Sequence, residues 1–374
     1  MTNFTSETIG CDLGDRMSDV CVMEADGRTR RARVASTQKG MTAFFTRDPA
    51  HVVIEVGGHS RWVSELLKVL GHQVTIANAR RVKLISASDN KTDEHDAELL
   101  ARLGRADKSL LAPMVHRSPE VQADLAIAKA RDTLVATRTK LVNHVRGTVK
   151  SFGERLPKCG STTFVRHTRA LIPAALETAL APVYETIAKL DEQIREQDKI
   201  IERTAERYPD VAVLEQVSGV GVLTALVYVL TLEDKNRFTS SRMAGAYIGL
   251  RPRKRKSGND DPQLRITKAG DPFVRRLLVL SANYILGPFG KDSDLRRWGI
   301  KLAERGGKNA KKRAKVAVAR KLAVLLHRLW VTGEVYEPLG YQARRLEDAT
   351  SQAATPVAAA EPTDPATTVA NAAA

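Results

Sequence analysis

The chain has little cysteine, no long apolar run and a shortage of acid. Its 374 residues include three cysteines, Cys11, Cys21 and Cys159. Their number is odd and their spacing fits no metal-ligand pattern, so they read as reduced thiols filling core positions. No apolar run reaches the ~18 residues needed to span a bilayer, and the N-terminus lacks a signal-peptide pattern. A disulfide scaffold and a membrane span are thereby excluded, and a cytoplasmic, nucleoid-associated protein is expected. Acid is outnumbered, with 43 Asp+Glu against 59 Lys+Arg and a formal net charge of +16. Such a balance calls for an acidic partner, most commonly nucleic acid. The charge is spread through folded-looking segments, which argues against a membrane surface. Beyond Arg345 basic residues are missing altogether, and residues 341–374 read as a disordered low-complexity tail.

What is present begins with a hydrophobic content of 43%, enough for two or three cored domains. From Thr8 to about Leu103 the pattern alternates between strand and helix. Strands are expected at 8–13, 17–24, 28–35, 51–56 and 73–77, with helices near 38–47, 61–70, 79–87 and 93–103. Asp26-Gly27 marks a tight turn. Three strands, a helix and then a buried strand suit a mixed sheet with helices packed on it.

Four acids stand out against the basic background. Asp12 ends the first strand, Glu55 ends the strand His51–Glu55, and Asp93 and Asp96 lie three apart on one helix face. Converging carboxylates repel one another unless a metal lies between them. Magnesium prefers oxygen ligands and keeps several waters, so two to four carboxylates suffice to hold it against phosphate. Any one of these acids alone is more simply a turn or solvated helix charge. Together, in the order first strand, fourth strand, later helix, they match the ribonuclease-H-like arrangement of a metal site for phosphoryl transfer. Glu94, Asp89 and Glu98 are expected to be solvated.

Residues 120–150 read as a basic helix carrying Arg131, Arg138, Lys140, Arg146 and Lys150. A broken stretch follows around Pro157, Gly160 and Pro173. Then Leu176, Leu180, Val183, Ile187, Leu190, Ile194, Gln197 and Ile201 repeat at spacings of four and three. That stripe fits a coiled coil between subunits, or a long amphipathic helix packed within the monomer. The intended divisions are therefore 1–110, a connector at 111–208, a helical domain at 209–340 and the tail.

The helical region carries three further signals. Val217-Ser218-Gly219-Val220-Gly221 resembles the turn of a helix-hairpin-helix, where Gly219 and Gly221 let the backbone approach a phosphate; a plain inter-helix turn is the alternative. Arg251, Arg253, Lys254, Arg255 and Lys256 precede Ser257-Gly258, and Arg265, Lys268, Arg275 and Arg276 follow. These residues read as a clamp on the phosphate backbone. A serine in such a field usually binds phosphate, although neighbouring cations would also stabilise its alkoxide. A second basic face runs from Lys308 through Lys311, Lys312, Arg313, Lys315 and Arg320 to Lys321, while Trp298 and Trp330 are assigned to the core.

These strings together resemble the DEDD transposases of the bacterial insertion-sequence one-ten family, which are related to the Piv-type site-specific invertases. The matching strings are Ile9-Gly10-Cys11-Asp12, Ile54-Glu55-Val56-Gly57-Gly58, Asn90-Lys91-Thr92-Asp93 with Asp96-Ala97, Val217–Gly221, Ala246–Arg253, Ser257-Gly258 and Ile266–Gly270. The resemblance spans about residues 8–335. It implies a RuvC-like N-terminal domain of ribonuclease-H fold, a coiled-coil connector and a mainly helical C-terminal transposase domain. It also implies magnesium on Asp12, Glu55, Asp93 and Asp96, and a serine nucleophile whose motif position falls on Ser257. Donor and target DNA, a structured non-coding guide (bridge) RNA, and a homodimer or homotetramer come with it. Two departures lie beside the metal site: Ala79 follows Asn78 where the family often has proline, and Val56-Gly57-Gly58 replaces a small-Thr-Gly step. The competing expectations are a metal-dependent nuclease or resolvase using water, and a non-catalytic nucleic-acid-binding regulator.

Overall fold

The computed structural model describes residues 7–78, 93–258, 260–262, 264–307 and 309–340. The helix expected at 79–87, Asp89, the string Asn90-Lys91-Thr92, Lys308 and the tail lie outside the described residues. The chain divides into two compact units, which part between Ser118 and Pro119. Residues 119–208 of the expected connector fall in the same unit as the helical segment.

In the first unit, β1 (Thr8–Asp12), β2 (Met17–Met23), β3 (Thr29–Ala35), β4 (His51–Glu55) and β5 (Gln73–Ala77) form one sheet in the order β3-β2-β1-β4-β5. β1 pairs antiparallel with β2 and parallel with β4, and β4 pairs parallel with β5. Strand alternation then assigns the two faces. Ile9, Cys11, Val52 and Ile54 point to one side, where α1 (Gln38–Phe45) and α2 (Ser60–Val69) supply Met41, Phe45, Val63 and Leu67. The odd-numbered Val53, Cys21 and Met23 point to the other, against Ala97, Leu100 and Ala101 of α3 (Asp93–Ala106). Both Cys11 and Cys21 are buried, as core filling requires.

The second unit opens with a helical hairpin. Its arms are α4 (Pro119–Ser151) and α5 (Glu177–Glu206). Arg131 Nε donates to Asp198 at 2.8 Å, and Arg138 Nη1 donates to Asp191 at 2.5 Å. Arg207 Nη2 donates to Asp124 at 2.5 Å, which fixes the antiparallel register at the open end. The heptad stripe is spent here. Leu180 and Ile187 join Val142, Val145 and Val149 of α4 in one buried cluster, so the seam packs within the chain. Of the two arrangements the sequence allows, the structure shows the intramolecular one.

Beyond the hairpin, α6 (Asp210–Glu215), α7 (Val222–Leu232), α8 (Arg242–Tyr247), α9 (Pro272–Ile285), α10 (Asp294–Glu304) and α11 (Ala310–Thr332) enclose a second core. α7 is apolar on every side and is buried from Thr224 to Leu232, as a central helix must be. Trp330 lies in that core, whereas Trp298 is half-buried with Lys321 Nζ 4.1 Å over its ring.

Candidate active site

Strand parity brings the acids together. Asp12 shares the face of Gly10, and Glu55 shares the face of Val53; both therefore point toward α3, at the C-terminal ends of adjacent parallel strands. α3 begins at Asp93, so Asp93 and Asp96 occupy its first turn, where the helix dipole favours negative charge. Gly10 allows the close approach. A Cβ there would fall 2.0 Å from the Ala97 carbonyl oxygen and 2.6 Å from the Ala101 nitrogen.

The electrostatics report the crowding. The Asp12 carboxyl is pushed up to about 6, first by burial and then by the charges of Asp93, Glu55, Asp96 and Asp19. Asp96 is buried, and its Oδ1 has no hydrogen-bond partner among the described residues. Asp93 lies at the surface, with Asp12 and Glu55 half-buried. The turn after Glu55 is held by Ser60, whose hydroxyl donates to the Gly57 carbonyl at 2.8 Å and meets His116 Nε2 at 3.1 Å.

In the second unit, residues 249–268 leave the helices as a two-limbed arm. Lys268 N donates to Gly249 O, Thr267 N to Arg251 O, and Arg253 N to Arg265 O, at 3.0, 2.8 and 2.9 Å. At the tip Ser257 and Asp260 exchange backbone hydrogen bonds of 3.1 and 3.0 Å across a turn in which Gly258 takes φ +55°. Arg251, Arg253, Lys254, Arg255, Lys256 and Ser257 are all exposed, as are Arg265 and Lys268. Two of the expected phosphate contacts are engaged otherwise. Arg276 Nη2 lies 2.5 Å from Asp132 of α4, and Arg275 Nη1 donates to the carbonyls of Ile248 and Ala269. Gly219 (φ +92°) makes the turn between α6 and α7, against Tyr284 and Ile285, and exposed Gly221 caps α7.

Known proteins are similar to this chain in sequence. Residues 9–153 match the IS110 DEDD family, described as "Transposase", and residues 211–289 match "Transposase IS116/IS110/IS902 family". The transposase for insertion sequence element IS1111A of Coxiella burnetii is 28% identical over 338 residues, covering 88% of this chain and 90% of that protein. A probable family 20 transposase of Pseudomonas aeruginosa is 27% identical over 88% of this chain and 98% of its own length. The transposase for insertion sequence element IS1328 of Yersinia enterocolitica is 30% identical over 281 residues, 73% of this chain and 82% of that protein. The chain belongs to the IS110/IS116 family of transposases.

The transposase carries a fifth acid at the site that sequence reading missed. Asp19 is the direct cross-strand partner of Asp12, is 6% exposed, and lies 3.4 Å from Arg33 Nε. The signal lay in β2, where Asp19, Cys21 and Met23 share one parity. Glu98 is corrected as well. Rather than solvated, it accepts from Arg31 at 2.9 Å and Arg102 at 2.7 Å, and those bonds hold its carboxyl below the usual range. Glu94 also pairs with Arg31, at 3.1 Å.

Among the described residues no three His, Cys, Asp or Glu side chains close on a single point at metal-ligand spacing. The donor set is nonetheless all carboxylate, mutually repulsive, and includes an orphaned buried oxygen. Those features fit a hard divalent cation that keeps part of its water shell. Among the described residues no helix of the transposase is long and apolar enough to cross a membrane.

Proposed function

We propose that this transposase cuts and rejoins donor and target DNA through a phosphoserine at Ser257, with magnesium held by Asp12, Glu55, Asp93 and Asp96. The observation that carries the reading is the gathering of four carboxylates on one face of the sheet, where burial first and the neighbouring negative charges second push Asp12 up to about 6. The strand order and the placement of those acids support a RuvC-like domain of ribonuclease-H fold. When bound, magnesium would neutralise charge on the phosphate oxygens.

Ser257 Oγ forms a bond to phosphorus as the bond from phosphorus to one deoxyribose oxygen breaks. The serine gives up its proton, and the freed oxygen takes one and leaves as a hydroxyl. One phosphoester is made for each one lost, so rejoining by the reverse attack needs no nucleotide hydrolysis. Arg251, Arg253, Lys254, Arg255, Lys256, Arg265 and Lys268 grip the flanking phosphates, and the Gly219–Gly221 turn presents backbone amides to another. Guidance by a structured non-coding RNA, assembly as a homodimer or homotetramer, and the Piv relationship are carried by the family resemblance.

The test is a denaturing gel of the protein with DNA spanning the element's junction and RNA transcribed from its flanking non-coding stretch. Wild type is expected to give a covalent adduct, and Ser257→Ala to give none while still binding DNA. Free DNA ends without an adduct in wild type would mean that water attacks.

A further inference from the structure

We propose that Arg275 is a positioning residue, a clamp that sets the direction of the arm carrying Ser257; this rests on the serine reading above. One guanidinium nitrogen, Nη1, donates to the carbonyl of Ile248 at 2.9 Å and to that of Ala269 at 3.0 Å. Ile248 immediately precedes the outgoing limb, and Ala269 immediately follows the returning one. Arg275 itself belongs to α9, whose Phe273, Val274, Leu277 and Leu278 are buried in the helical core. The clamp therefore joins both feet of the arm to a rigid element.

The feet are shaped for this contact. Gly249 and Gly270 take φ of +82° and +75°. A Cβ on Gly249 would lie 1.9 Å from the Ala269 oxygen, and one on Gly270 would lie 2.1 Å from the Tyr247 oxygen. The two limbs thus cross backbone against backbone, leaving no side chain between them to lock their angle. Two carbonyls converging there need a donor, and a planar guanidinium carried on a buried helix supplies one.

Leu250 anchors the root of the outgoing limb in the helical core, and beyond it the described residues of the arm have little to hold them. Every described residue from Arg251 to Pro262 is exposed, and only the intermediate Leu264, Ile266 and Thr267 give the returning limb partial cover. Ser257 stands eight residues beyond Gly249, and at ~3.3 Å per extended residue the lever is up to roughly 26 Å long. A rocking of ~10° at the foot would sweep such a tip through up to about 4.5 Å, whereas a misplacement of ~1 Å can cost ~100-fold in rate. Loosening the foot therefore harms strand cleavage far more than DNA binding, because the exposed cations of the arm still meet phosphate.

Arg275→Met and Arg275→Lys in the full-length protein test this by three measurements. In the free protein, amide hydrogen exchange across residues 250–268 is expected to rise ~10-fold or more while α7 and α9 keep their protection. Binding of a plain B-form duplex should keep its affinity within about twofold and an unchanged salt dependence, since no phosphate contact is lost. Ser257-dependent adduct formation on the junction DNA should fall ~100-fold, with the lysine variant partly rescued. Unchanged exchange in the arm would overturn the proposal. So would a salt slope lowered by ~0.9 in Arg275→Met, which would make Arg275 a phosphate ligand. Loss of protection throughout the helical core would overturn it too, by making Arg275 a general core residue. If wild type forms no Ser257-dependent adduct, the serine reading fails, and the exchange measurement alone still decides the clamp.

Discussion

Gly10 meets Ala97 so closely that a Cβ on Gly10 would lie 2.0 Å from the Ala97 carbonyl oxygen. This contact sets the height of α3 above β1. It therefore sets the separation of Asp12, two residues along the strand, from Asp96, the neighbour of Ala97.

Gly10→Ala is expected to lift α3 off the sheet. Overpacking of this kind costs ~1–3 kcal/mol, and the carboxylates part at the same time. Thermal unfolding should show the lower stability, and magnesium titration by calorimetry should show weaker binding. A variant that melts early yet binds magnesium with wild-type affinity would break the link between the glycine and the site.

Asp12 gives a pH dependence with a defined sign. Its carboxyl is pushed up to about 6 from an ordinary value of 3.8, so between those limits the folded protein holds a proton that the unfolded chain has released. Stability without divalent ions must therefore fall as pH rises through that window and then level off. Asp12→Asn removes the penalty. It should stabilise the protein by about 1 kcal/mol above pH ~6, after discounting for solvent screening, with no gain below pH ~4. Urea unfolding at the two pH limits checks this; equal gains at both would refute it. The same variant should lose DNA cleavage.

Much of the candidate site's layout was legible because it depends on local pattern. The five strands emerge within a residue of their expected ends, with Asp12 and Glu55 at the two strand ends where they were expected, and the register of β1 against β4 then puts both on one face. What escaped depends on which segments meet. Asp19 becomes part of the acidic face only when β1 and β2 pair in register, with Asp12 opposite it. Glu98 reads as solvated until Arg31, 67 residues away, is seen to reach it. The heptad stripe of α5 announces a partner helix without naming it, and Arg138 of α4 supplies the answer by pairing with Asp191. Arg275 looks like its basic neighbours in sequence, since only the fold shows which guanidinium finds carbonyls.

The pairing of Arg138 with Asp191 should dominate the stability of the hairpin. Both side chains are about one-tenth exposed, at 9% and 10%, so removing one partner strands a buried charge. Arg138→Met or Asp191→Leu alone should cost ~3–5 kcal/mol, while the double variant should recover most of that loss. Urea denaturation of the three variants tests it as a double-mutant cycle. Additive losses in the double variant would show that the pair is not coupled.

The arm's cations should act through the number of phosphates they neutralise. Lys254 and Arg255 are exposed on the outgoing limb, three and two residues before the tip serine. Each phosphate contact contributes ~0.9 to the slope of log affinity against log salt on a B-form duplex. Lys254→Ala with Arg255→Ala should therefore lower that slope by about 1.8 and weaken binding at low salt far more than at high salt. Arg276→Ala is the control: its guanidinium already faces Asp132 at 2.5 Å, so its removal should change the slope little. Filter binding of one duplex across a salt series distinguishes the two. A slope unmoved by the double variant would take the arm off the phosphate backbone, and a fall of ~0.9 in Arg276→Ala would show that DNA displaces Asp132 from its partner.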